Sequence, residues 1–120
     1  MPRPSQPHPT VDDQDVERIV RRDYPAEMVD SILGLITAVE VWEKPRVVLA
    51  CLKVAGGDFD RLRKQLDDAS GYWREILSEA EYPLATRRLF RLDSLSDEEV
   101  RTIYDKDWRQ YSEWLNRKTR

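Results

Sequence analysis

The chain has 120 residues, of which 40% are hydrophobic and 36% charged, with a net charge of −3 and a pI near 5.2. A chain of this length reads as one domain able to bury a core without disulfides or metal, and a lone cysteine, Cys51, excludes an intrachain disulfide scaffold. The charge is −5 over residues 1–83 and +2 over residues 84–120, too slight a bias to argue for nucleic acid or an anionic membrane as partner.

Residues 1–9 alternate Pro2, Pro4, Pro7 and Pro9 with polar neighbours. They offer no apolar area to bury, so a disordered Pro-rich tail (1–9) is expected before a single helical domain (10–120). The same residues lack the apolar core of a signal peptide. The most apolar segment, Met28 to Trp42, is interrupted by Asp30 and Glu40 and is too short to span a bilayer. No membrane role is expected, and a cytoplasmic protein is the default.

Thr10, with Asp13 three positions on, reads as the N-cap of a first helix over 11–22. Val16, Ile19 and Val20 give its apolar face, and Arg21 and Arg22 suit its C-terminus. Asp23 and Pro25 then mark the start of a second helix. Met28, Val29, Ile32, Leu33, Leu35, Ile36 and Val39 recur along it at helical spacing, and Trp42 closes it. A stripe covering about half the circumference predicts a central helix contacted on more than one side, with Gly34 at a close crossing.

Pro45 opens a third helix, with Val47, Val48, Cys51, Leu52 and Ala55 as its buried stripe. Gly56 supplies a left-handed C-cap and Asp58 the next N-cap, so the following helix must fold back antiparallel. Phe59, Leu62, Leu66, Ala69, Trp73, Ile76 and Ala80 keep the phase of one long helix. Ser70 and Gly71, both poor interior residues, predict a break or kink that yields helices near 58–69 and 71–80.

Tyr82-Pro83 ends that run, and Leu84 to Arg91 reads as a short helix burying Leu84, Leu89, Phe90 and Leu92. In the last helix Ser96 and Glu99 form a capping box, and Leu95 and Val100 the hydrophobic staple. Val100, Ile103, Tyr104, Trp108, Tyr111, Trp114 and Leu115 fall within an arc of about 140° at 100° per residue. No stretch alternates in period two as a strand would. The expected fold is all-α: about six short helices, arranged as a helical-hairpin array of the α-α superhelix kind or as a bundle.

The residues Pro45-Arg46-Val47, Leu49-Ala50, Leu52-Lys53, Ala55, Gly57-Asp58, Leu62, Ala69, Arg74, Leu77 and Ala80-Glu81-Tyr82-Pro83 form a spaced pattern. Asp107-Trp108, Gln110-Tyr111 and Trp114-Leu115 form another near the C-terminus. Together they resemble a family of small all-helical bacterial proteins of uncharacterised function, with departures at Tyr72-Trp73 and Glu75-Ile76. The resemblance implies an all-helical fold of the α-α superhelix kind. It implies no activity and carries over no catalytic residue.

The chemistry-bearing residues point the same way. His8 is the only histidine and lies in the Pro-rich segment, which removes His-based triads, Cys–His dyads and His metal sites. Cys51 sits on an apolar stripe and reads as a small buried hydrophobe. Gly56-Gly57-Asp58 opens a helix, but Asp58 would repel a phosphate, so a cap explains it better. Asp67, Asp68, Glu75, Glu79 and Glu81 offer carboxylate pairs, as most charged helical surfaces do. Arg87, Arg88 and Arg91, with Lys118, Arg120 and Phe90, would make a weak basic patch, read as a solvated face. No catalytic residue, cofactor or metal is expected.

The aromatic residues Tyr104, Trp108, Tyr111 and Trp114 are the candidate interface, read either as cover for the core or as an exposed contact surface. The functional expectation is a non-enzymatic protein–protein interaction or scaffold module, binding a protein partner or itself as a homodimer. The alternative is an enzyme or small-ligand binder with carboxylates, Tyr82 and Arg74 between helices.

Overall fold

Six apolar residues succeed one another in Val47–Leu52, and such a run is buried whichever way a helix through it is turned. The computed structural model describes residues 4–119, with the side chains of all but Leu89 and Phe90. The helices are α1 (Asp13–Asp23), α2 (Val29–Thr37), α3 (Lys44–Ala55), α4 (Phe59–Glu81), α5 (Pro83–Arg87) and α6 (Asp97–Asn116). Short 3₁₀ segments at Ala26–Met28 and Leu89–Ser94 join them. Among the described residues there is no strand, and no helix is long and apolar enough to cross a membrane. The fold is all-α with six helices.

α3 is the centre. Val47 to Leu52 are all buried, as is Ala55. Its largest contact is with α4 and its next with α1. The turn between α3 and α4 is as short as the caps require. Gly56 takes the left-handed conformation at φ 61° and its N–H bonds to Leu52 O, while the Asp58 carboxylate accepts the Arg61 N–H at 3.0 Å. A Cβ at Gly56 would meet no neighbour, so glycine is needed there for its φ alone.

The central position predicted for α2 therefore belongs to α3. α2 buries only Val29, Ile32 and Ile36, leaves Leu35 37% exposed, and has open space around Gly34. It also stops at Thr37 rather than Trp42. The Thr37 hydroxyl turns back to Leu33 O, Lys44 Nζ donates to Thr37 O, and the next two N–H groups make tight i−3 bonds. Two other boundaries move. α1 begins at Asp13 because Asp12, not Thr10, forms a reciprocal capping box with Asp15. Asp23 is the buried last residue of α1, paired with Arg22, rather than the cap of the second helix.

α4 runs through Ser70 and Gly71 and leaves helical geometry at Tyr72 (φ −122°, ψ 24°), which kinks it. The expected interruption is thus a bend two residues later, between two helical segments in continuous phase. Leu62, Leu66, Ala69, Ile76, Leu77 and Ala80 stay buried on both sides of it.

The remaining helices are fastened through their ends. Arg18 and Arg22 of α1 donate to the Leu115, Trp114 and Arg117 carbonyls at 2.8, 2.6 and 2.9 Å, which satisfies the C-terminus of α6. Asp107 of α6 is 1% exposed and accepts the Leu84 and Ala85 N–H groups at 2.9 and 3.0 Å, capping α5 from outside its own sequence. Ser96 and Glu99 form the predicted capping box. The expected short helix after Pro83 is five residues plus a 3₁₀ segment, with Leu84 and Leu92 half-buried; Leu89 and Phe90, expected to be buried, lie outside the described side chains.

Replacing Asp107 by Ala leaves the half-buried Leu84 and buried Ala85 N–H groups without their acceptor. Each hydrogen bond to a charged group contributes about 1.5–3 kcal/mol, so Asp107→Ala should lower unfolding free energy by about 3 kcal/mol in urea titrations. A loss near zero would contradict the capping role.

Candidate functional site

The four aromatic residues of the α6 stripe divide. Tyr111 and Trp114 belong to the core, with ring centroids 5.5 Å apart and the Arg22 guanidinium 5.3 Å from the Trp114 ring. Tyr104 is half-buried and Trp108 is 39% exposed. The Tyr111 hydroxyl is buried with no hydrogen-bond partner among the described residues, and burial, then the nearby Glu81 charge, push its pKa up.

A second aromatic set lies where the sequence showed only core stripes. Trp42, just before α3, packs on Trp73 of α4 with centroids 4.8 Å apart and planes at 36°. Arg46 lies 5.9 Å from the Trp42 ring and Arg74 5.0 Å from the Trp73 ring. The result is a row, Arg46–Trp42–Trp73–Arg74, in which each guanidinium faces a ring. Trp42 is 53% exposed, and Tyr72, at the kink, 61%. A groove of about 270 Å³ between α2 and α4 is lined by Leu35, Ala38, Val39, Arg63, Leu66 and Ser70. Helical spacing placed Trp73 on an apolar face of α4, whereas Trp42, expected to close α2, lies beyond its end. It carried no sign that the two rings meet each other at the surface.

Beneath the row sits a buried ion pair. Arg46 Nη2 and Nε donate to the two carboxylate oxygens of Glu81 at 2.7 and 2.9 Å, a bidentate arrangement with side-chain exposures of 11% and 2%. Arg46 Nη1 also reaches Glu43 at 3.1 Å. The hydrogen bond to Glu81, more than its charge, holds Arg46 protonated far beyond its ordinary range. Glu43 itself takes φ 43°, a left-handed backbone in a non-glycine residue, at the point where the chain turns from Trp42 into α3.

His8 does not stand apart from the domain. Its Nδ1 lies 2.9 Å from Tyr82 Oη and 3.2 Å from Arg46 Nη2, and Tyr82 Oη lies 3.0 Å from Pro7 O. Residues 4–12 carry no helix or strand, yet they run across this end of the α3/α4 hairpin.

The other candidates are dispersed. Cys51 is fully buried and burial pushes its thiol up to about 12, away from nucleophilic use. Of the clustered acids, Glu81 is held in the ion pair, Asp67 lines the α2/α4 groove, and Glu75 and Glu79 line a separate α4/α5 groove of about 360 Å³ with Arg74 and Arg87. Tyr82 lies outside that groove, in an adjoining depression that shares Ser78 and Thr86 with it. Among the described residues no three His, Cys, Asp or Glu side chains converge as metal ligands would. Arg87, Arg88, Arg91 and Lys118 are exposed; Arg120 and the Phe90 side chain lie outside the described residues.

The chain matches no protein-family model, no curated protein and no solved structure.

The buried groups fix the pH response. Burial favours the neutral thiol of Cys51 and the neutral phenol of Tyr82, each pushed up to about 12, and that of Tyr111. The folded chain therefore keeps protons that the unfolded chain releases. That stability is complete below about pH 9, the ordinary range of a thiol, and is lost as pH rises towards 12. Thermal unfolding between pH 8 and 12 should show a falling midpoint, and Cys51→Ala should flatten the first part of the fall. The native thiol should also resist iodoacetamide at pH 8 and react on unfolding; rapid native labelling would contradict its burial.

Proposed function

We propose that this protein acts by protein–protein contact, with no chemistry of its own, and that the contact face is the Arg46–Trp42–Trp73–Arg74 row with Tyr72 and Leu35. The observation that carries the reading is the 53% exposed Trp42, stacked on a Trp73 that is itself packed against the core. Tryptophan, tyrosine and arginine are the residues most enriched among interface anchors. A folded chain that leaves the Trp42 ring and Tyr72 largely in water forgoes burial that a partner would supply. The face moves the contact surface from the α6 stripe, of which only Trp108 and part of Tyr104 remain accessible, to the α2–α3 connection and the α4 kink.

The partner is a second copy. Charges of both signs surround the face, with Glu40, Asp67 and Arg63 along the α2/α4 groove and Arg74 over Trp73. A rim of mixed sign is self-complementary about a two-fold axis, where Glu40 and Asp67 of one copy meet Arg63 and Arg74 of the other. A net charge of −3 adds little repulsion between copies. The enzymatic alternative loses support because the Tyr82 hydroxyl is already engaged by Pro7, His8 and Arg46. The likeness to small helical bacterial proteins without known activity belongs with this reading, as does a cytoplasmic setting for a free buried thiol.

Light scattering after size exclusion tests the reading. The chain at high micromolar concentration should run as a dimer, and Trp42→Glu should run as a monomer with unchanged far-UV circular dichroism. A wild-type monomer throughout that range, or a Trp42→Glu dimer, would overturn it.

A further inference from the structure

Residues 4–9, Pro-Ser-Gln-Pro-His-Pro, show a burial pattern of period three. Pro4, Gln6, Pro7 and Pro9 are half-buried, and Ser5 and His8 are exposed. Period three is the repeat of polyproline II, whose triangular cross-section can present two faces to a receptor and the third to water. The spacing Pro4-x-x-Pro7 is that of a proline-rich recognition segment.

The surface beneath it is built for such a segment. Tyr82 Oη faces the Pro7 carbonyl at 3.0 Å, the kind of bond by which an aromatic hydroxyl reads a chain that has no N–H to pair. Tyr82 is held in place by Arg46 Nη2, which donates to its oxygen at 3.2 Å, and Arg46 is itself locked by Glu81. His8 Nδ1 lies 3.2 Å from Arg46 Nη2 and 2.9 Å from Tyr82 Oη. The His8 ring meets Tyr82 edge-on, with centroids 6.4 Å apart at 85°.

Depressions lie on either side of this contact. Gln6 borders one of about 160 Å³, with Ser78, Tyr82, Ala85, Thr86 and Leu92. Pro9, Thr10 and Val11 border another of about 280 Å³, with Glu43, Pro45 and Arg46. The segment thus crosses a central tyrosine between two hollows, and the α4/α5 groove of about 360 Å³ continues the first hollow through Ser78 and Thr86.

We infer that the Arg46–Glu81–Tyr82 end of the α3/α4 hairpin is a recognition site for extended proline-rich peptide, and that residues 4–9 of this chain are its resident, exchangeable occupant. The partner it fits is a Pro-x-x-Pro segment supplied in trans. The two surfaces share Arg46, which touches both Tyr82 and Trp42, so Tyr82→Phe and Trp42→Glu test them separately.

The test uses the full chain and a synthetic peptide of residues 4–11, PSQPHPTV. A covalently attached segment competes at a high effective concentration, so wild type should bind the peptide only weakly. The full-length variant Pro4→Gly/Pro7→Gly/His8→Ala weakens the resident segment without touching a helix. It should bind the peptide about tenfold more tightly than wild type, followed by amide shifts at Arg46, Ser78, Tyr82 and Thr86 in ¹H–¹⁵N spectra. Adding Tyr82→Phe, which keeps the ring and removes the hydroxyl, should weaken that binding about fivefold. A peptide with Ala in place of both spaced prolines should fail to bind. The inference is overturned if the weakened variant shows no shifts with peptide at several millimolar, if Tyr82→Phe binds equally well, or if the alanine peptide binds as tightly. Circular dichroism confirms that each variant is folded, so a lost shift reports the site and not the fold.

Discussion

A guanidinium buried against a carboxylate must be answered in full, because an unpaired charge there costs far more than the pair returns. Arg46 and Glu81 meet that demand with a bidentate contact across 35 residues of sequence. Arg46 stands in the first turn of α3 and Glu81 is the last residue of α4. The pair therefore closes the open end of the hairpin that Gly56 and Asp58 close at the other. Everything of functional interest hangs on the same guanidinium. It faces the Trp42 ring, reaches Glu43 at the left-handed turn, and orients Tyr82 towards Pro7 and His8. One side chain sets the geometry of two surfaces.

The same economy recurs elsewhere. Asp107 caps α5 from α6, and Arg18 and Arg22 cap α6 from α1. Asp23 is buried beside Arg22 as Glu81 is beside Arg46. Of the three buried acids among the described residues, Glu81 and Asp107 join different elements, and Asp23 braces the Arg22 that reaches α6. The acids that are buried are satisfied by their partners, and most of the others remain in water.

What the sequence made legible was local. The Ser96/Glu99 capping box, the Gly56 and Asp58 caps and the resulting antiparallel hairpin depend on residues within four positions of one another, and each formed where expected. Helical spacing also found the buried faces of α3, α4 and α6. It overreached at α2, because spacing tells which residues share a face and not whether anything covers it; Leu35 and Gly34 face open space. The start of α1 moved for a related reason. Thr10 and Asp12 both have a partner three residues on, and it is Asp12 and Asp15 that each accept the other's N–H. The candidate site was less legible still. The burial of Arg46, Glu81 and Asp107 is decided by groups 22 to 35 residues away, and the Trp42–Trp73 stack by a kink whose exact residue, Tyr72, has no signature beyond the Ser-Gly before it.

The central claim is that the Arg46–Glu81 pair acts as a unit that closes the hairpin and sets the surfaces above it. A double-mutant cycle with Arg46→Leu and Glu81→Leu in urea measures that directly. Each single change strands a buried charge and should cost about 3–5 kcal/mol. The double change removes both charges and should cost less than the sum by about 2 kcal/mol or more. Single losses that simply add would contradict the account.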